Sequence, residues 1–390
     1  MSEWKKVKLG EICLRVFSGG TPSKSNSAFY ENGDIPWLNT GEVKFQDIYS
    51  TENYITQAGY DKSAAKWVEP NSIIIAMYGA TAGKSCITRI RLTTNQACCN
   101  LHVNDKVADY RFVYYTVYRN YLGLASLAKG GAQQNLNAQM IKDYEIALPP
   151  LPTQHRIAAI LSDYDAAIAN CRKQIALLEE AAMRLYREWV GDGKGERRTL
   201  RSLVEDIESG SRPRGGAQND GVPSIGAEKI EGIGVYNFDG EKFISEDYFD
   251  RMRRGKIRDE DILLYKDGAY CGKVSMVLDG FPHSKAAVNE HVFILRTPRK
   301  TAFLYCFLRT SESYALLNQL ACNKAAQPGL NQDDVLDVPI ILPDLKCIEK
   351  FEQSAMPFMH TIAILANQIR SLTEARDRLL PKLMKGEIEV

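Results

Sequence analysis

The sequence predicts an α/β (α+β) chain made of two duplicated mixed α/β domains and two long helices that form an antiparallel coiled coil, with pseudo-two-fold symmetry. Three observations predict it. First, short motifs recur about 190 residues apart. Ser18-Gly19-Gly20-Thr21-Pro22 returns as Ser209-Gly210-Ser211-Arg212-Pro213, and Gly79-Ala80-x-x-Gly83-Lys84 as Gly268-Ala269-x-x-Gly272-Lys273. Leu148-Pro149-x-Leu151 returns as Leu342-Pro343-x-Leu345. A period this long marks a duplicated domain and not a solenoid of short repeats. Second, strand-length apolar runs and longer helical patterns are mixed within each copy. Third, a heptad seam follows each copy, and the two seams are in phase.

The first domain is placed at residues 1–150. Ser72-Ile73-Ile74-Ile75-Ala76-Met77 is an apolar run of strand length, and residues 108–128, rich in Leu and Tyr, read as a helix. Asn137 caps a short helix, with Leu136 and Ile141 at hydrophobic-staple spacing. The first spacer helix covers 151–192. From Ile157 its apolar or small residues fall at Leu161, Tyr164, Ile168, Cys171, Ile175, Leu178, Ala182, Leu185 and Trp189, in alternating steps of four and three.

The second domain, 193–345, repeats the plan. Asp261-Ile262-Leu263-Leu264-Tyr265 is its strand run, and residues 299–321 after Pro298 are its helix. Asn331 with Asp334 forms a capping box between Leu330 and Val335. The second spacer helix, 346–390, carries Phe351, Ala355, Phe358, Ile362, Leu365, Ile369, Leu372, Leu379 and Leu383 in the same phase, broken only by Arg376. Pro357 is expected to start or kink this helix, and Pro381 to disturb its end. Two equal seams most simply pack on each other and hold two heads apart; the alternative is that each helix packs on its own domain.

Composition bounds the function. At 390 residues, 45% hydrophobic and 25% charged, the chain is an ordinary globular protein long enough for two or three cores. The start, Met1-Ser2-Glu3-Trp4-Lys5-Lys6, lacks an apolar signal region, no run approaches a membrane span, and nine cysteines without CxxC spacing read as reduced thiols. A cytoplasmic location follows as the expectation. Residues 1–150 carry 16 Lys/Arg against 13 Asp/Glu, about +3, and residues 191–345 carry 21 against 24, about −3. A DNA-binding chain of this balance must concentrate its positive charge on one face or borrow it from other subunits.

Several catalytic motifs fail on their spacing. Gly79-Ala80-Thr81-Ala82-Gly83-Lys84-Ser85 has three residues between its glycines where a phosphate-binding loop needs four. In the second copy Val274 stands where that loop requires a hydroxyl, and both copies continue as strand. The reading is a glycine turn between strands, with Lys84 and Lys273 at the surface. Leu148-Pro149-Pro150-Leu151 lacks the polar first residue of an adenine-methyltransferase motif. Pro343-Asp344-Leu345-Lys346 lacks a nuclease's second acid. His102, His155, His283, His291 and His360 show no ligand spacing, so no catalytic or metal constellation is expected.

Recognition chemistry remains. Gln and Asn can read adenine edges, Arg and Lys guanine, and Ser and Thr reach phosphates. The candidates are Ser23, Lys24, Ser25 and Asn26 after the first Ser-Gly repeat, and Lys129, Gln133, Gln134 and Asn135 in a glycine-containing loop. In the second copy they are Lys324 and Gln327, Arg212 and Arg214, and the basic run Arg251, Arg253, Arg254, Lys256 and Arg258. Lys84 and Lys273 complete the set.

In this order, the motifs resemble those of the specificity subunit of type I restriction-modification enzymes. The resemblance runs from Trp4-x-x-Val7-x-Leu9-x-x-Ile12 through Ser18-Gly19-Gly20-Thr21-Pro22 and Gly33-Asp34-Ile35-Pro36-Trp37-Leu38. It continues through Leu148-Pro149-Pro150-Leu151-x-x-Gln154 to Leu380-Pro381-Lys382-Leu383-Met384-Lys385-Gly386-Glu387-Ile388. Cys347-Ile348 departs from Thr153-Gln154, and Pro223-Ser224 replaces the Pro-Trp pair. The resemblance implies two target recognition domains reading the halves of a bipartite, asymmetric site on double-stranded DNA, with the helices setting the spacer between them. It implies two modification (methyltransferase) subunits and restriction (translocase/nuclease) subunits as partners. It also implies that this chain binds no cofactor, and that S-adenosylmethionine, ATP and Mg belong to those partners. A specificity subunit of a combined cleavage-methylation system, or a coiled-coil adaptor that binds no DNA, are the alternative readings.

Overall fold

The computed structural model describes residues 4–127, 135–190, 195–323 and 328–390. The chain divides into two units, Met1–Asp165 with Glu374–Val390, and Ala166–Thr373. The division is discontinuous because both long helices pass from one unit to the other.

In the first unit, Lys5–Lys8 pairs antiparallel with Glu145–Leu148, setting the chain's start beside the strand that precedes the first long helix. A five-stranded sheet runs in the order Cys13–Ser18, Cys98–Val103, Ile73–Ala76, Ser85–Thr88, Asp47–Ile48. A four-stranded sheet holds Tyr54–Ile55, Ile35–Leu38, Leu92–Thr94 and Trp67–Val68. Its helices are α1 (Gln57–Asp61), α2 (Tyr110–Arg119), α3 (Tyr121–Leu127), α4 (Ala138–Asp143) and the first part of α5 (Leu151–Val190).

The second unit repeats the sheets with fewer strands. Glu196–Thr199 pairs with Pro339–Leu342, and Asp206–Ser209, Val292–Arg296, Ile262–Tyr265 and Val274–Met276 form a four-stranded sheet. Phe243–Ile244, Val222–Ile225 and Ala287–Val288 form a small third one. Its helices are α6 (Glu246–Arg251), α7 (Thr301–Leu308), α8 (Ser311–Cys322), α9 (Gln332–Leu336) and most of α10 (Leu345–Met384). The chain thus consists of two mixed α/β domains whose long helices pack together.

The expected caps form. Asn137 accepts from Met140 N–H, and Asn331 and Asp334 complete their reciprocal box. Two helix expectations need correction. The single helix expected over 108–128 is two, because Asn120 leaves helical geometry and donates its amide back to the Thr116 carbonyl at 3.0 Å. The one over 299–321 is also two, because Thr310 caps α8 by accepting from Ser313 N–H. Nor does Pro357 start the last helix: α10 begins at Leu345, where Asp344 accepts from Cys347 N–H at 2.8 Å, and continues through both prolines. Proline at 357 removes the bond to the Gln353 carbonyl, but both residues face solvent, where water can replace it.

The seams do their expected work locally. In the first unit Ile157, Ala158 and Leu161 of α5 are buried with Leu380, Leu383 and Met384 of α10, against Leu9 and Phe112. In the second, Ile175, Ala182 and Tyr186 of α5 share a core with Phe351, Ala355 and Ile362 of α10 and with Phe303. In each unit the start of one helix meets the end of the other, so the two run antiparallel. Each leucine, isoleucine, methionine or phenylalanine so buried contributes about 1.5–3 kcal/mol.

The one charged seam residue is accommodated by a polar knot. Arg376 lies 2.5 Å from Asp165 and donates to the Tyr118 hydroxyl at 3.2 Å, while Tyr115 donates to the same Asp165 at 2.5 Å. In the second unit, Tyr305 and Arg309 both donate to Glu179, at 2.8 and 2.9 Å. In both cases α5 supplies the carboxylate for a tyrosine on a domain helix.

The spacer helices also cap the domain helices. Buried Gln154 on α5 accepts from Asp109 N–H at 3.0 Å, at the start of α2, and donates to the Pro149 carbonyl at 2.8 Å. The second copy has Ile348 at this place, buried, and the task moves one turn along α10 to Glu352. That carboxylate accepts from Ala302 and Phe303 N–H, at 3.2 and 2.7 Å, at the start of α7.

Burial pushes the Glu352 carboxyl up to about 6 from its ordinary 4.5, against the pull of its two N–H donors. The folded state therefore holds its proton more tightly than the unfolded chain. Stability is greatest below the unfolded value and falls as pH rises from about 4.5 through 6, by about 2 kcal/mol. Glu352→Gln and Glu352→Ala should both flatten this step, and Glu352→Ala should lower stability by about 1–2 kcal/mol near pH 4 through loss of the cap, with a smaller difference at pH 8; urea denaturation between pH 4 and 8 checks both. At the knot, Asp165→Ala should cost about 2–3 kcal/mol by leaving Arg376 buried beside Asp377 alone, and Asp165→Leu with Arg376→Leu should recover most of it.

Candidate nucleic-acid interface

A concavity lies in the second unit, between the loop that follows the second Ser-Gly repeat and the α6 segment. It is an open cleft of about 1030 Å³ lined by Ser211–Gln218, Ser245, Tyr248 and Arg251–Arg254. Two groups that the sequence offers separately, Arg212 with Arg214 and Arg251 with Arg253 and Arg254, therefore face one space. The loop is held by a Ser211–Tyr248 hydroxyl pair at 2.8 Å. Tyr248 and Gln218 were not among the sequence candidates; a tyrosine 37 residues away carries no signal that it holds this loop.

The five arginines are not equivalent. Arg212 pairs with Glu290 at 2.9 Å, and Arg251 donates to the Asp247 carbonyl at 3.0 Å. Arg214, Arg253 and Arg254 are exposed and make no ion pair or side-chain hydrogen bond among the described residues. Lys256 is turned to the Asp250 carbonyl and the Phe249 ring.

The repeated Ser-Gly motif has a packing origin. A Cβ on Gly210 would stand 1.6 Å from the Val288 carbonyl oxygen, and one on Gly19 would stand 2.1 Å from that of Thr94. Gly215 and Gly216 differ: both have positive φ, 100° and 87°, and a Cβ on either would meet nothing within 4 Å. They serve the loop's course and leave its outer side open.

At the equivalent place in the first unit the chemistry is lighter. Ser23 and Ser25 bond each other at 2.8 Å, Asn26 accepts from Ala28 N–H, and exposed Lys24 is the cation. Tyr30 donates to the Pro22 carbonyl at 2.6 Å and so holds this loop in its turn.

The glycine turns lie between antiparallel strands, with positive φ at Gly79, Gly83, Gly268 and Gly272, and a strand follows each lysine. Lys84 and Lys273 are half-buried, a correction to their expected surface position. Lys84 lies 5.9 Å from the Phe45 ring centre, and Lys273 pairs with Glu231 at 2.8 Å over the Tyr270 ring. Asn135 is exposed. Lys129, Gln133, Gln134, Lys324 and Gln327 lie outside the described residues.

All nine cysteines are free, and six are buried. Burial pushes the Cys99 thiol up to about 12, which keeps it protonated and unreactive. Among the described residues no three His, Cys, Asp or Glu side chains gather to hold a metal, and no helix is long and apolar enough to cross a membrane.

Residues 1–180 match the type I restriction modification DNA specificity domain family. The chain is 27% identical to the type I restriction enzyme MjaIX specificity subunit of Methanocaldococcus jannaschii, over 99% of this chain and 93% of that one. It is 22% identical to the MjaVIII specificity subunit of the same organism, over 100% and 93%. Over its whole length the chain is similar to the type I restriction-modification specificity subunits. Its fold agrees: the type I S subunit from M. genitalium superposes with a TM-score of 0.60 at 17% identity, over 97% of this chain and 96% of that one. A type I specificity subunit is a non-catalytic, DNA-binding component, which fits a molecule with an open cleft lined by five arginines, three of them without an acidic partner among the described residues.

Gly210→Ala should destabilise the second unit strongly, because backbone must move to admit the methyl group. Gly215→Ala should cost only the strain of a positive φ, about 1 kcal/mol. Thermal unfolding of the two variants checks the contrast.

Proposed function

We propose that this specificity subunit recognises a bipartite, asymmetric DNA sequence, with residues 1–150 reading one half and residues 193–345 the other. The observation that carries the proposal is a shared framework bearing unlike chemistry. Ser-Gly packs identically on the neighbouring strand in both domains, and a tyrosine holds the loop in both. Yet the residues after the shared proline are Ser23-Lys24-Ser25-Asn26 in one and Arg214-Gly215-Gly216-Ala217 in the other. Two readers of one design and different side chains suit two different half-sites. Lys84, Asn135 and Lys273 remain candidates for backbone contact.

The spacer helices α5 and α10 set the length of the unread DNA between the halves. They also offer the docking surface for two methyltransferase subunits, through which restriction subunits join. S-adenosylmethionine, ATP and Mg are held by those partners. The near-neutral charge of this chain supports the division of labour, since the partners then share the electrostatic grip on DNA.

Sequencing methylated bases in cells that express this chain with its modification partner should reveal adenine methylation at one bipartite motif. Exchanging residues 1–150 for those of another member should change one half and leave the other; a swap that altered neither half would refute the assignment. Adding about one heptad to both helices should lengthen the spacer or abolish modification.

A further inference from the structure

We propose that the cleft between the Ser211–Gln218 loop and the α6 segment grips the phosphodiester backbone flanking the second half-site, through Arg214, Arg253 and Arg254. This rests on the bipartite reading above and adds where the charge for it resides. The second domain, 193–345, carries a net charge of about −2, the wrong sign for a polyanion. A DNA-facing region of such a domain has to be a local excess of unpaired cations, and the cleft is one. Its two other arginines are already engaged, by Glu290 and by the Asp247 carbonyl. The remaining three have no acidic partner among the described residues, and they line a space of about 1030 Å³ that opens to solvent.

Three features favour phosphate over a base edge. The three guanidiniums come from two separate segments on either side of an open cleft, which suits a strand of backbone passing between them. Arg253 and Arg254 are adjacent in sequence just beyond α6, and no described hydrogen bond fixes either in one orientation, as reading a single guanine edge requires. Gly215 and Gly216 leave the outer side of the loop bare, so backbone can approach backbone closely there. The first domain has one exposed lysine at the matching place, and so its share of the grip is smaller.

The test uses the complex of this chain with its modification subunits and measures affinity for a cognate and a random duplex across a series of KCl concentrations. Arg214→Ala with Arg253→Ala and Arg254→Ala should weaken both duplexes alike. It should also reduce the slope of log affinity against log salt by about 2–3, near 0.9 for each lost phosphate contact. The triple lysine variant should restore most of the slope, which separates lost charge from lost fold, and Lys24→Ala should change it by no more than about one. Methylated-base sequencing with the triple alanine variant should return an unchanged motif at lower occupancy. An unchanged salt slope overturns the inference. So does a motif that relaxes at a base of the second half, which makes these arginines base readers. If the unsubstituted complex gives no bipartite motif, the functional reading itself fails, a result distinct from either.

Discussion

Each α/β domain has its core closed by the end of a helix that begins in the other copy of the repeat, and the rest of the architecture depends on that contact. Leu380, Leu383 and Met384 come from the far end of the chain, yet they are buried with Leu9, Phe112 and Leu161. Tyr186, at the end of α5, stacks at 5.4 Å on Phe303 and at 5.9 Å on Phe351. In neither copy as written in the sequence, 1–192 or 193–390, is the core that includes the long helices complete. The duplication therefore yields interdependent halves, in which the helices serve both as core and as connection.

That dependence explains polar residues that a seam of heptads does not ask for. Caps and carboxylates on α5 and α10 aim at the first turns and tyrosines of the domain helices, so that domain and helix are joined by directional bonds as well as apolar area. The two copies meet the same need with different residues. Gln154 caps α2 where Glu352, one turn further along its own helix, caps α7. Arg376 reaches Asp165 from α10, while Arg309 reaches Glu179 from beside α7. The duplicated scaffold is conserved as geometry and has diverged as chemistry, in its joints as in its loops.

Much of this was legible in the sequence because it rests on periodicity and local capping. The seams, the capped helices at Asn137 and Asn331 and the glycine turns all follow from near-neighbour rules. The breaks at Asn120 and Thr310 were not legible, since a long Leu- and Tyr-rich run looks the same whether or not a side chain bends back to its own carbonyl. As a helix start, Pro357 misled for the opposite reason: the rule against proline in a helix is weakened where the freed carbonyl faces water. The site was half legible. Arginines 212, 214, 253 and 254 stood out as types, but their meeting around one cleft, and the pairing that removes Arg212, needed long-range contacts. Lys84 and Lys273 looked free in the sequence and are instead packed against rings or an acid.

A core completed by the helix from the other copy gives each domain a firm foundation, and its loops can vary without disturbing it. The most direct test of that foundation is amide hydrogen exchange on the full chain and on a chain ending at Thr373, which lacks the end of α10 and the residues after it that are assigned to the first unit. Loss of that segment should sharply raise exchange in Tyr110–Arg119 of the first domain and leave Thr301–Leu308 of the second protected. Equal protection of Tyr110–Arg119 in the two chains would contradict the claim that the far helix end completes the first domain.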